Sequence, residues 1–252
     1  MSWTEKDERE YLKLLEMEEK LQATNRISSY YPETGPLARR HYPRHLEFFA
    51  AGREHRERCF LAANRVGKTE GVGAYELSLH LTGRYPAWWQ GRRFAYPVSA
   101  WAAGDTSKTT RDIIQRTLLG PVGSYGTGML PADSIINTTS KPGVPDAIET
   151  VYVTHRSGGT SELGLKSYDQ KRESFQGTAR HVIWLDEEPD MGIYTESLTR
   201  TMATSSFPGG LVMCTFTPLL GMSDVVRYFL DIKASDDYKP AELDERGRYK
   251  KQ

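Results

Sequence analysis

One short stretch of the chain combines residue types that can bind a phosphate group. It runs from Leu61 to Thr69 and is composed of Leu-Ala-Ala-Asn-Arg-Val-Gly-Lys-Thr. Gly67 lets the backbone come close to phosphate oxygens, and the N–H groups that follow at a helix start can form an anion nest. Lys68 can reach the outer phosphates of a nucleotide, and the Thr69 hydroxyl can hold Mg²⁺. The stretch therefore predicts a phosphate-binding loop.

The loop departs from the common pattern G-x-x-x-x-G-K-[ST] at its first position, where this chain has Ala62. The alternative is a surface turn in which Lys68 is merely solvated. The flanking sequence favours the loop. The apolar residues 59–61 predict the end of a buried strand, and residues 70–81 predict a helix.

A second group of residues could do chemistry on the same ligand. The run from His181 to Pro189 is bulky and apolar and ends in adjacent acids, as expected of a strand buried on both faces. Asp186 would hold Mg²⁺ opposite Thr69, and Glu187 would orient the water that attacks the terminal phosphate, with Glu188 as a possible substitute. The alternative is that the acids only cap the next helix.

A third apolar run, residues 209–218, predicts another buried strand that ends in hydroxyls and a proline. Strand alternation places Thr215 and Thr217 on one face, where they could sense the terminal phosphate or the attacking water. Without the other two motifs this would be an ordinary strand end.

A helix starting near Pro43 and ending at Gly52 precedes the first of these strands. Its Tyr42 could stack on a base and His45 could hydrogen-bond to it, although core packing is the more frequent role of either residue alone.

The remaining elements must position these groups. We predict an amphipathic helix over 3–24 that packs on the domain edge, with a lid or partner contact as the alternative, and a loop over 25–40. The other predicted elements are a strand at 99–104, a helix at 107–119, an uninformative loop region at 120–145, a hairpin formed by 147–154 and 162–168, and helices at 192–203 and 222–232.

Together these elements predict an α/β fold of the P-loop NTPase class, with a mostly parallel central sheet flanked by helices and an antiparallel hairpin at its edge. The intervening strand and helix place the chain in the division that inserts an additional strand between the two motifs and uses a catalytic glutamate. A small kinase or G protein fits less well, because the sequence has no NKxD-type motif. We divide the chain into an N-terminal amphipathic helix and loop at 1–40, a nucleotide-hydrolysing domain at 41–233, and a polar tail or linker at 234–252.

Composition restricts the possible partners. The 33 basic and 33 acidic residues give zero net charge, so any DNA contact must come from local patches. Cys59 and Cys214 lie in predicted buried strands, as expected of reduced cysteines in a cytosolic protein. No apolar run approaches a transmembrane length, so we expect no membrane association.

The three motifs, in this order, resemble the ATPase domain of the large terminase subunit, the DNA-packaging motor of tailed bacteriophages and related viruses. The similarity covers about residues 42–232 and includes Ala-Ala-Asn-Arg-Val-Gly-Lys-Thr, Ile-Trp-Leu-Asp-Glu-Glu and Thr-Phe-Thr-Pro. A loop lacking its first glycine is usual in that family.

The resemblance implies Mg-dependent ATP hydrolysis, with Glu187 as the catalytic carboxylate and residues 215–218 coupling hydrolysis to movement. It also implies double-stranded DNA, the portal protein and the small terminase subunit as partners. The chain is expected to be a monomer in isolation and a pentameric ring in the host cytoplasm at the procapsid portal, and to be absent from the mature virion. The family usually carries a C-terminal nuclease domain. No nuclease activity is expected here, and an excised motor domain is preferred over a nuclease on another chain.

Three positions differ from the family pattern. Asn64 stands where an arginine is common, and Arg65 follows one position later. Gln176-Gly177 replaces a common Arg-Gly pair, which leaves the trans-acting arginine finger unassigned. His45 stands where glutamine is common in the adenine motif, so base selectivity is open.

The candidate nucleotide-binding residues are Ala63, Asn64, Arg65, Val66, Gly67, Lys68 and Thr69 in the loop, with Tyr42 and His45 at the base. The candidate catalytic residues are Glu187, Asp186 and Lys68, the candidate metal ligands are Thr69 and Asp186, the coupling residues are Thr215 and Thr217, and the candidate arginine fingers are Arg172 and Arg180. They predict an ATP-hydrolysing motor that moves double-stranded DNA into a viral capsid. Two alternatives stay open, namely another ring or helicase-like NTPase, and a nucleotide-binding assembly module without turnover.

Overall fold

A mixed β-sheet forms the centre of the protein. The computed structural model describes residues 5–219 and 221–230, and within them seven strands form one sheet in the order β1-β7-β6-β2-β5-β4-β3. The strands are β1 (Glu57–Leu61), β2 (Ser99–Gly104), β3 (Ile135–Ser140), β4 (Ile148–Thr154), β5 (Thr160–Ser167), β6 (Val182–Asp186) and β7 (Leu211–Phe216). The first five strands in the spatial order are parallel, whereas β4 and β3 are antiparallel to their neighbours. This confirms the predicted fold class, including the additional strand, because β7 lies between β1 and β6.

Helices cover the sheet on both faces. They are α1 (Glu5–Thr24), α2 (Pro43–Ala51), α3 (Tyr75–Thr82), α4 (Ser107–Thr109), α5 (Arg116–Leu119), α6 (Met191–Arg200) and α7 (Asp224–Leu230). A π-helical segment, Lys68–Ala74, leads into α3, and another, Thr110–Gln115, joins α4 to α5. One buried cluster includes residues of α2, α3 and the sheet, and a second includes residues of the sheet, α6 and α7. Among the described residues, none of the helices combines the length and apolar character needed to cross a bilayer.

The helix that follows the phosphate loop packs unusually close to the sheet. Every residue of β6 is buried, and the indole ring of Trp184 lies directly under Gly73. A Cβ atom at Gly73 would approach that ring to 2.2 Å, so only glycine fits without a shift of the helix or the ring. The indole N–H of Trp184 donates to the Thr215 hydroxyl on β7 at 2.7 Å. The position of the loop is therefore tied to the strand that carries the acids.

A buried ion pair also anchors the loop helix to β1. Arg58 donates to the Glu76 carboxylate at 2.8 Å and to the backbone carbonyl of Phe48, at the end of α2, at 2.7 Å. His80, one turn after Glu76, lies 3.2 Å from the same carboxylate through Nε2. Burial lowers the pKa of His80, and Arg58 helps to keep the pKa of the Glu76 carboxyl below its usual value despite its burial. The network holds α2, β1 and α3 together.

Most predicted elements are found within a few residues of their expected bounds, but two expectations are wrong. The region 120–145 contains β3, so the antiparallel part is a three-stranded meander in which β5 pairs parallel with β2. The helix over 3–24 exists as α1, yet all side chains of residues 7–20 are exposed, including Leu14 at 60% and Met17 at 67%. It does not pack on the domain edge as expected. Trp3, residues 231–232 and the tail at 234–252 lie outside the described residues.

Breaking the buried ion pair should destabilise the fold strongly. We expect Arg58→Ala to lower the free energy of unfolding by about 3–5 kcal/mol, because it leaves the Glu76 charge buried without its guanidinium partner. Denaturant unfolding at pH 7 measures this change. Arg53→Ala, at an exposed position nearby, is the control and should change stability by less than about 0.5 kcal/mol. Equal effects of the two substitutions would contradict the anchoring role of Arg58.

Candidate active site

The three chemical motifs meet at one edge of the sheet because their strands are parallel neighbours. Glu57 pairs with Val212 at the start of β1 and β7, and Asp186 at the end of β6 pairs with Thr215 on β7. The carboxyl ends of β1, β7 and β6 therefore lie side by side, which is where ligands bind in open α/β sheets.

The lysine of the phosphate loop makes a hydrogen bond within the loop itself. Gly67 has φ +82°, in the left-handed region that favours glycine, and Arg65 also has a positive φ of 65°. The Lys68 ammonium donates to the carbonyl of Ala63 and to the hydroxyl of Thr217, each at 2.7 Å. Burial lowers the pKa of Lys68, and the carboxylates of Glu187 and Asp186 oppose that change. The ammonium thus lies between the loop and both acids.

Thr217 connects the end of β7 to the same loop. Its hydroxyl lies 2.9 Å from the carbonyl oxygen of Ala62 and 2.9 Å from Oδ1 of Asn64, and it accepts a hydrogen bond from Lys68. A change in the contacts of Lys68 would therefore be felt at the end of β7.

Asp186 is buried and receives hydrogen bonds from two threonines. Thr69 Oγ1 lies 3.1 Å from each carboxylate oxygen, and Thr215 Oγ1 donates to Oδ1 at 2.7 Å. Burial raises the pKa of Asp186 to about 7, although both hydrogen bonds act in the opposite direction. A hydroxyl and a carboxylate at this separation form the kind of oxygen pair that Mg²⁺ takes from proteins in nucleotide sites, so the residues fit that ion.

The two coupling threonines do not share an environment, in contrast to the expectation from alternation. Thr215 is buried and its hydroxyl contacts Trp184 and Asp186, whereas Thr217 contacts the loop. The reason is that β7 ends at Phe216, after which strand alternation no longer applies. A direct contact of Thr215 with a phosphate or water is therefore not supported by its position.

The two glutamates after Asp186 differ in their exposure to solvent. Glu187 is exposed and has a positive φ of 71°. Both carboxylate oxygens of Glu188 are buried and make no hydrogen bond within the described residues. Burial raises the pKa of the Cys59 thiol, and the charge of Glu188 adds to that rise. Glu187 is consequently the better placed of the two to orient a water molecule beside the phosphate loop.

A cavity of about 290 Å³ opens beside the phosphate loop. It is lined by Tyr30, Tyr31, Leu37, Tyr42, His45, Arg65, Val66, Gly67, Glu70 and Gly71. The predicted pair, Tyr42 and His45, is thus at the cavity. His45 Nε2 lies 3.0 Å from the Val66 carbonyl oxygen and Nδ1 lies 2.7 Å from the Tyr31 hydroxyl, so both ring nitrogens are already used by the protein. His45 therefore shapes the cavity, while Tyr42 presents a ring to it.

Sequence reasoning missed half of the cavity residues, namely Tyr30, Tyr31, Leu37, Glu70 and Gly71. The Tyr30 hydroxyl donates to Glu70, the residue after Thr69, and Arg26 forms an ion pair with the same carboxylate. These contacts arise because the segment 25–40 folds back over the loop helix. Only the run of aromatic residues in that segment could have indicated it.

The two arginine-finger candidates lie in different places. Arg172 is paired with Glu196 of α6 at 3.0 Å. Arg180 precedes β6 and its guanidinium lies 4.7 Å from the centre of the Trp101 ring, so it is at the opposite end of the strand from Asp186. These positions in a single chain do not test whether either arginine acts in the site of a neighbouring subunit.

The comparison with known proteins decides the family. The family model for the N-terminal part of the terminase large subunit, T4-like virus type, matches residues 59–248. This chain belongs to that family. It is 36% identical, over 247 residues, to the terminase large subunit of Salmonella phage P22, an alignment that covers 90% of this chain and 47% of the relative. The chain therefore spans about half the length of that protein.

Solved structures of terminases are also similar to this terminase chain, at low identity. The large terminase of a thermophilic bacteriophage matches with 12% identity and a TM-score of 0.46, covering 69% of this chain and 37% of the other. The ATPase domain of the large terminase from Thermus phage P74-26 matches with 16% identity and a TM-score of 0.40, covering 66% and 63%. The family assignment depends on the sequence matches.

The burial of Asp186 predicts a pH dependence of stability with a defined sign. Its folded-state pKa of about 7 lies above the ordinary 3.8, so the folded chain keeps a proton that the unfolded chain releases. The contribution of Asp186 to stability is therefore lost as the pH rises from about 4 to 7. We expect Asp186→Asn to raise the free energy of unfolding by about 1–3 kcal/mol at pH 8 and to change it little at pH 4. Denaturant unfolding in a magnesium chelator measures both values.

Glu187→Gln is the matched control for that measurement. The Glu187 side chain is exposed, and its charge is a smaller cause of the raised Asp186 pKa than burial is. The substitution should therefore raise the free energy of unfolding at pH 8 by less than Asp186→Asn does, and change it by less than about 0.5 kcal/mol at pH 4. An Asp186→Asn protein less stable than the wild type at pH 8 would contradict the unfavourable burial of the Asp186 charge.

Proposed function

We propose that this chain binds and hydrolyses Mg-ATP at the edge formed by β1, β7 and β6, and that it is the motor part of a viral DNA-packaging terminase. The observation that carries the proposal is the convergence of Lys68 and Thr69 with Asp186, which is far from them in the chain, at one edge of the sheet. The terminase family to which the chain belongs supports the motor role.

The proposed chemistry is positioning and electrostatic stabilisation rather than covalent catalysis. The Lys68 ammonium and the N–H groups that follow Gly67 would hold the phosphates. Thr69 and Asp186 would hold Mg²⁺, which supplies positive charge to the phosphate oxygens. Glu187 would accept a hydrogen bond from the attacking water and orient it toward the terminal phosphate.

The contacts of Lys68 suggest how hydrolysis would be transmitted. A phosphate bound by Lys68 competes for the ammonium with the carbonyl of Ala63 and the hydroxyl of Thr217. Thr217 would then exchange its partners, and because it directly follows β7, the segment after the strand would move. This supports the coupling role of Thr217, with Thr215 acting through Asp186.

Translocation and assembly extend this proposal beyond the site. We propose that the motor works on double-stranded DNA with the portal protein and the small terminase subunit, as a pentameric ring in the host cytoplasm in which an arginine from a neighbour completes the site. The support is the family membership and the name of the P22 relative, of which this chain spans about half.

The decisive test is steady-state Mg-ATP hydrolysis by the wild type and by Glu187→Gln, measured over a range of protein concentrations. We expect the substitution to lower kcat by at least about 100-fold while ATP binding is retained, because only the orientation of water is lost. A rate per chain that rises with concentration would support completion of the site by a neighbour.

Glu188→Gln is the matched control, since it changes the adjacent glutamate, whose carboxylate is buried without a hydrogen-bond partner in the described part of the chain. It should keep most of the wild-type rate, and Lys68→Ala should lose ATP binding. Equal, low rates in the wild type and Glu187→Gln would contradict hydrolysis and favour a nucleotide-binding assembly module.

The cavity beside the loop should bind the base through Tyr42. We expect Tyr42→Ala to weaken ATP binding by about 5- to 160-fold, the range of an aromatic stacking contact of about 1–3 kcal/mol. Titration with ATP and with inorganic triphosphate measures the effect. Binding of triphosphate, which has no base, should not change, whereas an equal loss for both ligands would show that Tyr42 acts through the phosphate loop instead.

A further inference from the structure

The hydroxyl of Tyr168 lies directly behind the two acids of the site. β5 ends at Ser167, and Tyr168 starts the short turn that follows it. Its phenolic oxygen is 3.1 Å from the backbone carbonyl oxygen of Asp186 and 3.0 Å from that of Glu187. The single phenolic proton can be shared between these two acceptors. Burial raises the pKa of the Tyr168 phenol, so the group remains a donor at neutral pH.

The backbone of Glu187 needs such support. Its φ of +71° is in the left-handed region, which costs a residue with a side chain about 1–3 kcal/mol. The N–H of Glu187 donates to the carbonyl of Thr215 at 3.2 Å, and its carbonyl faces Tyr168. Residue 187 is therefore held from both sides in a conformation that it would not adopt alone.

Tyr168 is itself fixed by its neighbours. Its ring packs beside that of Phe175, with 6.5 Å between the ring centres. The next residue, Asp169, donates its N–H to the carbonyl of Asp105 at 3.1 Å and accepts a hydrogen bond from the N–H of Ser107 at 3.0 Å. These contacts attach the turn to the end of β2, so the position of the Tyr168 hydroxyl is fixed.

We propose that Tyr168 is a positioning residue for Glu187, whose backbone it holds in the left-handed conformation that directs the carboxylate to the phosphate loop. The inference rests on the proposed ATP hydrolysis. In that conformation the Glu187 carboxylate lies close enough to Lys68 to favour its charged form. Without the hydroxyl, residue 187 can return to a negative φ, which turns its side chain away from the loop.

Tyr168→Phe tests the inference by removing a single oxygen atom. We expect kcat for ATP hydrolysis to fall by about 10- to 100-fold, the cost of a small misplacement of a catalytic group. The KM and the Kd for ATP should stay close to wild type, and the thermal midpoint should fall by only about 2–6 °C, the cost of one lost hydrogen bond. A purely structural role would instead change folding and nucleotide binding together.

Two further variants sharpen the test. Tyr194→Phe removes another tyrosine hydroxyl from the same buried cluster, one that bonds to Glu57 at the start of β1, and should leave kcat unchanged. The double variant Tyr168→Phe with Glu187→Gln should be no slower than Glu187→Gln alone, because Tyr168 acts through Glu187.

The outcomes separate the inference from the proposed function. A Tyr168→Phe protein with the wild-type kcat would overturn the positioning role alone, provided that the wild type is much faster than Glu187→Gln. A Tyr168→Phe protein that fails to fold or to bind ATP, while Tyr194→Phe is normal, would also overturn it by showing a structural role. A wild type no faster than Glu187→Gln would contradict hydrolysis itself.

Discussion

The buried carboxylate of Asp186 is the group on which the rest of the site depends. It lies at the end of β6, where the sheet and the loop helix exclude water, and two threonine hydroxyls supply its hydrogen bonds. One hydroxyl comes from the loop and the other from β7, so the carboxylate joins all three motifs. The close packing of Gly73 on Trp184 keeps the loop helix near enough for this contact. The carboxyl group whose pKa is raised by burial therefore lies beside a closely packed helix.

The surrounding structure holds both the phosphate loop and the turn at Glu187 in fixed positions. The ion pair of Arg58 and Glu76 fixes the loop helix from behind, and Tyr168 holds the acidic turn from below. Lys68 and Thr217, in contrast, make contacts that a phosphate can replace. In the proposed function, this rigid frame with a few exchangeable hydrogen bonds would convert a change at the phosphate into a movement after β7.

Sequence patterns predicted the parts of the fold that depend on burial on both faces. β6 and β7 are continuous apolar runs, and the acids and hydroxyls at their ends could be read directly. β3 was missed because an edge strand with the sequence Ile-Ile-Asn-Thr-Thr-Ser is half exposed and carries little apolar signal. Tyr30 and Tyr168 reach the site only through folding of the segments that carry them, a long-range effect that local spacing does not encode. The exposure of α1 was missed for a related reason, since an amphipathic pattern does not reveal whether a partner surface is present.

The order of the strands has a consequence for synthesis on the ribosome. Within the described sheet β1 is an edge strand whose neighbour is β7, near the other end of the domain. Translation at about 5–20 residues per second separates the appearance of these two strands by about 8–30 s. During that interval the phosphate loop is already made, but the strand that supports it lacks its hydrogen-bonding neighbour. The proposed nucleotide site can therefore form only after β7 has left the exit tunnel, so a chain truncated before β7 is expected not to bind ATP.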